Sequence, residues 1–234
     1  MRSLGAPRVR RFGPLEAVEF PASAEAPAVA CFHGYGANMR DLASLALEAD
    51  LQGPCRWVFP NGPLELGYGS RAWFPIASER LAGFERGDGP IDMSGLRPEG
   101  MDAARDAALE LIASLEIPWD RLVVGGFSQG AMLAVELALA APEPPRGVFI
   151  LSGNLVDAAG LAARAPARAG LRFFQSHGAV DPILGFAGAL RLHEALTAAG
   201  WAGDFLRFEG AHGVPREALD GLAAFLNDLG QRAQ

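Results

Sequence analysis

The chain has 234 residues, half of them hydrophobic and a fifth charged, with a formal net charge of −7. That balance excludes a disordered chain and is sufficient for one large core, so one α/β domain over residues 1–234 is expected. The 20 basic residues are all arginines, scattered apart from Arg10-Arg11, which argues against a nucleic-acid partner.

The first residues, M-R-S-L-G-A-P-R-V-R-R-F-G-P, carry charge but no apolar stretch behind it, and no run of about 18 uncharged apolar residues follows anywhere. The expectation is a cytoplasmic protein with no leader and no stable membrane insertion. Further along, short β-branched and aromatic runs alternate with longer stretches of helical period. Strands are predicted at Ala17–Phe20, Ala28–Phe32, Arg56–Phe59, Leu122–Phe127, Gly147–Leu151, Leu171–Gln175 and Asp204–Phe208. Helices are predicted at Met101–Leu115, from Ser128 to Ala141, at Phe186–Ala199 and at Pro215–Leu229. Strand–helix alternation with almost continuously apolar strands predicts a mostly parallel sheet covered on both faces. Cys31 and Cys55 lie in separate strand-like segments without a CxxC pattern, so they read as reduced, buried thiols.

One segment breaks the alternation. Asn61 to Pro98 is rich in glycine and proline and has no sustained period. An excursion of that length inside a compact domain serves either as packing on a sheet edge or as the wall of a substrate pocket. It holds an aromatic cluster, R-A-W-F-P, at Arg71–Pro75.

The chemistry centres on G-F-S-Q-G, Gly126–Gly130, which follows the apolar strand at Leu122 and precedes strong helix-forming sequence. A serine in a tight strand-to-helix turn exposes its hydroxyl, and the new helix aims its first amides and positive end at it. Ser128 is therefore the candidate nucleophile, and it needs a base and an orienting acid. Of the four histidines, His193 sits within a helical pattern, His33 precedes the serine, and His177 ends a strand. His212 lies in E-G-A-H-G-V-P between the last strand and the last helix, where ligands meet open α/β sheets. Asp181, in H-G-A-V-D-P-I, follows the preceding strand and gives the order Ser, Asp, His; Asp-Pro is equally ordinary turn chemistry. For the oxyanion, the Gln129 amide follows the nucleophile. The Tyr35 amide, in C-F-H-G-Y-G-A-N after the strand Ala28–Phe32, is the second candidate donor. No metal cluster and no organic cofactor is expected.

These motifs together resemble the α/β-hydrolase superfamily and, within it, the phospholipase/carboxylesterase family that includes acyl-protein thioesterases. H-G-Y-G-A-N resembles that family's oxyanion segment, R-A-W-F its tryptophan loop and G-F-S-Q-G its nucleophile elbow. L-S-G-N-L at Leu151–Leu155, S-H-G-A-V-D-P-I at Ser176–Ile183 and A-H-G-V-P at Ala211–Pro215 follow the same scheme. The resemblance implies an α/β-hydrolase fold without a large lid, with Ser128 as nucleophile, Asp181 as orienter and His212 as base. It implies that His177 is a structural part of the aspartate loop and that Trp73 stands beside the substrate. The implied substrate is a small to medium acyl ester or thioester, with lysophospholipase or acyl-protein thioesterase activity as the alternative on the same triad. A catalytically silent binding protein is the rival of another class. Pro75 departs from the pattern, standing where the family carries an acidic residue.

Overall fold

The computed structural model describes residues 5–231. The first four residues of the N-terminal segment read above for a leader lie outside them. The chain opens on a hairpin, β1 (Arg8–Phe12) and β2 (Leu15–Phe20), then runs through β3 (Ala28–Phe32), α1 (Leu45–Glu48) and β4 (Arg56–Pro60). The excursion follows, with a small hairpin of β5 (Leu64–Gly67) and β6 (Ser70–Ala72) and the helix α2 (Ser78–Glu85). Regular alternation then resumes: α3 (Met101–Ser114), β7 (Leu122–Phe127), α4 (Gln129–Ala140), β8 (Gly147–Leu151) and α5 (Ala158–Arg164). It ends with β9 (Arg172–Gly178), α6 (Phe186–Ala198), β10 (Ala202–Phe208) and α7 (Arg216–Gln231).

The main sheet has eight strands in the order β1-β2-β4-β3-β7-β8-β9-β10. The β1–β2 and β2–β4 pairs are antiparallel, and every pair from β4 through β10 is parallel. The inner parallel strands β3, β4, β7 and β8 are buried on both faces, which is why they read as unbroken apolar runs, whereas the edge strand β10 is mostly exposed. Their alternate residues still go to different layers. Ala28, Ala30 and Phe32 of β3 and Leu122 and Val124 of β7 join the core under α3 to α6. Val29, Cys31 and Val123 face the opposite core, with Leu219, Leu222 and Phe225 of α7. Cys31 and Cys55 are both free and buried, as their spacing predicts, and burial pushes both thiols up.

Two departures from the predicted elements have clear causes. β1 was not predicted because four of its five residues are exposed, leaving an edge strand with no apolar signal. It is held by ion pairs instead: Arg8, Arg10 and Arg56 converge on the buried Glu19 carboxylate at 2.8, 3.5 and 2.8 Å. Burial would raise the Glu19 carboxyl, and its arginine partners hold it below its ordinary value. α2 buries none of its residues completely, so its helical period is weak.

Candidate active site

Strand β7 enters the central turn and α4 leaves it. Ser128 sits between them at φ 54°, ψ −119°, a conformation rarely adopted by a residue with a side chain. The turn is closed by backbone bonds: Ser128 N–H donates to Leu151 O at 2.9 Å, and Ala131 and Met132 N–H donate to Ser128 O at 3.1 and 3.2 Å. The flanking glycines are required sterically. A Cβ on Gly126 would lie 2.3 Å from the Phe32 carbonyl oxygen, and one on Gly130 would lie 2.0 Å from the same atom. The elbow is therefore pressed against the end of β3, where the H-G-Y-G loop begins.

That loop is fixed by buried polar contacts. Gly62 N–H donates to His33 Nε2 at 2.9 Å, so the His33 proton sits on Nδ1, which donates to Gly34 O at 2.7 Å. Burial drives the His33 pKa below its ordinary value, in keeping with a neutral ring in these contacts. Gly36 N–H binds Arg71 O at 2.9 Å and Ala37 N–H binds Gly34 O at 3.2 Å, so both amides after Tyr35 are occupied. The Gln129 amide opens α4, where a helix leaves its first N–H groups free of intrahelical partners.

His212 and Asp181 come together from loops after β10 and β9. His212 Nδ1 lies 2.6 Å from Asp181 Oδ2. A carboxylate only accepts, so the His212 proton is on Nδ1 and Nε2 is left as an acceptor. Asp181 Oδ1 accepts from the Ile183 and Leu184 amides at 2.8 and 2.9 Å. Burial would raise the Asp181 carboxyl, but hydrogen bonds from His177, His212 and the Leu184 amide hold it far below the carboxylate range. The His212 ring packs 4.7 Å from Phe127, the residue before the serine. Ser152, at φ 48°, donates from its hydroxyl to Gly213 O at 2.9 Å and tethers the loop just past the histidine.

Ser128, Gln129, Tyr35 and His212 all border one cavity of about 470 Å³. Most of its wall is apolar. Phe74, Ile76, Leu81, Phe84, Ile91 and Met93 come from the excursion, which thus forms the pocket wall. The end of the excursion is anchored by Arg97, which pairs with the buried Glu136 of α4 at 2.7 Å and with Asp157 at 3.3 Å. Arg164 binds Glu136 from the other side at 2.8 Å. Glu136 thus links Arg97 at the end of the excursion to Arg164 of α5.

Trp73 does not line this cavity, contrary to the expectation placed on it. It is 1% exposed, packs edge-on against Phe32 at 5.2 Å, and donates from Nε1 to His33 O at 2.9 Å. Trp73 and Phe74 lie in a bend just past β6, and the two adjacent rings go to different surroundings. Trp73 turns to the H-G-Y-G loop, and Phe74 faces the pocket. The side chain of Gln129, which the motif reading used only for its amide, pins this segment: Oε1 accepts from Trp73 N–H at 2.9 Å and Nε2 donates to Phe74 O at 2.7 Å. His33 and Ser152 were visible in the quoted motifs, yet nothing local shows that they tie loops together. Pro75 is exposed at the surface of this segment, and the pocket wall continues past it through Ile76.

The model of the phospholipase/carboxylesterase family matches residues 14–229. The chain belongs to that family. Among its relatives, acyl-protein thioesterase 1 of Mycosarcoma maydis is 32% identical over 176 residues, covering 70% of this chain and 73% of the relative. The Candida albicans acyl-protein thioesterase 1 is 26% identical, covering 92% of this chain and 98% of the relative. Among solved structures, esterase PE8 superposes with a TM-score of 0.77 at 26% identity, over 92% of this chain and 99% of that one. Acyl-protein thioesterase 2 of Zea mays shares the fold, with a TM-score of 0.70 at 24% identity over 96% and 99%. The α/β-hydrolase fold and the carboxylic ester hydrolase class follow for this chain. Among the described residues, no helix is long and apolar enough to cross a membrane.

Proposed function

We propose that this carboxylic ester hydrolase is a serine enzyme whose triad is Ser128, Asp181 and His212, acting on small to medium acyl esters or thioesters. One observation carries the reading: a serine at a strained elbow opens on the same apolar cavity as a histidine whose Nδ1 is bound 2.6 Å from a buried carboxylate. His212 Nε2 takes the proton of the Ser128 hydroxyl as its oxygen attacks the acyl carbon. The Tyr35 and Gln129 amides receive the charge that develops on the carbonyl oxygen. His212 then returns the proton to the departing alkoxide or thiolate, leaving an acyl-Ser128 ester. Water, deprotonated by the same nitrogen, releases the acid and restores the serine.

A protein thioester is the second candidate substrate, favoured by the similarity to acyl-protein thioesterase 1. Two free buried thiols support placing the enzyme in the reducing cytoplasm. Incubation with a fluorophosphonate probe tests the reading: the adduct should map to the peptide containing Ser128. An unlabelled wild-type protein that is also inert towards p-nitrophenyl esters sinks it. Parallel assays on p-nitrophenyl esters and S-acyl peptides separate the two substrate classes.

Met132 is expected to limit acyl length. It borders both the substrate cavity and a second space of about 20 Å³, lined by Met101, Leu161 and Leu192 on one side and by the Arg97–Glu136–Arg164 ion pairs on the other. Met132→Ala joins the two spaces. The preferred p-nitrophenyl ester should become longer, with each additional methylene accepted worth about 0.8 kcal/mol, roughly fourfold in kcat/KM. An unchanged chain-length profile places the end of the acyl chamber elsewhere.

A further inference from the structure

Asp181 holds two histidines. His212 Nδ1 lies 2.6 Å from Asp181 Oδ2, and His177 Nε2 lies 3.1 Å from the same oxygen. His177 Nε2 also stands 2.5 Å from the Leu184 carbonyl oxygen. Both partners are acceptors, so this nitrogen carries the hydrogen and shares it between carboxylate and carbonyl. The opposite nitrogen, Nδ1, is buried with no hydrogen-bond partner, as suits the unprotonated side of a neutral ring. His177 is wholly buried at the end of β9 and so has the rigidity of the sheet behind it. Its single N–H thus spans both ends of the Asp181–Leu184 turn, whose amides already close on Asp181 Oδ1.

We infer that His177 is a positioning residue for the acid, holding the Asp181 carboxylate towards His212 and moderating its pull on the His212 proton. The inference rests on the triad reading above. A hydrogen bond to a carboxylate favours its anionic form and withdraws part of its charge. Without the His177 donor, Asp181 binds the His212 imidazolium more strongly, so His212 becomes a free base only at higher pH. The acid limb of kcat/KM therefore moves upward. The other charged groups near His177 form an exposed pair on the β10 side. Arg207 lies 5.9 Å over the Phe186 ring and pairs with Glu209, and Phe186 packs edge-on to His177 at 6.3 Å. Solvent screens that pair, leaving Asp181 and His212 as the groups through which His177 acts.

The test combines two variants with one measurement on the wild type. His177→Leu removes the donor at similar volume, while His177→Gln keeps an N–H near the Nε2 position. The leucine variant should lose about 10- to 100-fold in kcat/KM at neutral pH, the effect of deleting one hydrogen bond to a charged group. Its acid limb should rise by about one pH unit with KM little changed, and the glutamine variant should return the limb close to wild type. In the wild type, nitrogen-detected histidine NMR should find His177 as the Nε2–H tautomer. A folded leucine variant with a wild-type limb, a glutamine variant as displaced as the leucine one, or an Nδ1–H ring overturns the inference. Should the leucine variant not fold, His177→Met, which also lacks a donor, takes its place and is judged by the same criteria against wild type and His177→Gln. Failure of the triad reading is distinguishable, because it shows as the absence of a Ser128 adduct in the wild type.

Discussion

Ser128→Ala is expected to lower kcat for p-nitrophenyl ester hydrolysis about 10⁶-fold while leaving the protein folded. Alanine keeps the Cβ and every backbone contact of the elbow, including the Ser128 N–H bond to Leu151 O at 2.9 Å. What disappears is the atom that forms the acyl-enzyme in the proposed mechanism. Residual catalysis over water, about 10³–10⁴-fold, should persist because the oxyanion donors and the apolar wall are untouched. Ser128→Gly separates catalysis from strain at the same position. A side chain at φ 54° and ψ −119° costs about 1–3 kcal/mol. Glycine avoids that strain and loses about 0.5–1 kcal/mol through its more flexible unfolded state. The inactive glycine variant should therefore melt about 2–4 °C above wild type, since a chain of this size gains roughly that much per kcal/mol. A melting point below wild type would mean that the elbow stores no strain. Activity retained within tenfold by the alanine variant would remove Ser128 from the mechanism.

The elbow was legible because its requirements are local: an apolar strand, two glycines and a helix within Leu122–Ala140. His212 and Asp181 were legible for a related reason. Both follow C-terminal ends of neighbouring parallel strands, so chain order alone brings their loops to one edge of the sheet. The pocket wall was legible only as one of two alternatives for the excursion. Ile76, Leu81, Phe84 and Ile91 fall in a segment without sustained period, and the end of that segment is held by Arg97 on Glu136, 39 positions away in sequence. Trp73 shows the limit most clearly. An adjacent Trp-Phe pair announces an aromatic wall, but which ring faces the substrate depends on the path of the backbone. Here that path is set by the Gln129 side chain bonding the Trp73 amide and the Phe74 carbonyl. Edge strand β1 escaped for the opposite reason: charge pairing with Glu19, which has no periodic signature, substitutes for apolar alternation.

Asp181→Asn should lower kcat about 10⁴-fold, because the wrong tautomer of His212 then becomes the favoured one. The wild-type carboxylate accepts from the Ile183 and Leu184 amides on Oδ1 and from His212 on Oδ2, and His177 Nε2 stands 3.1 Å from that second oxygen. Asparagine has one oxygen, so either orientation of its amide turns an NH2 group towards two of those donors. If the NH2 faces the histidines, His212 accepts through Nδ1 and carries its proton on Nε2, where it cannot take the Ser128 proton. If it faces the turn, the Ile183 and Leu184 amides lose their acceptor, at about 1–3 kcal/mol for each donor left unpaired. The pH dependence of stability follows in sign from the lowered Asp181 value. A carboxyl held lower in the folded state than in the unfolded chain contributes stability above the unfolded value, about 3.9, and loses it as pH falls through the folded value. The melting-point gap between wild type and Asp181→Asn should therefore be widest at neutral pH and narrow progressively once the pH drops below about 4. Thermal melts of the two proteins across that range provide the check. A gap that stays constant with pH would show that the Asp181 charge contributes nothing to holding the turn, and that its role is confined to the tautomer of His212.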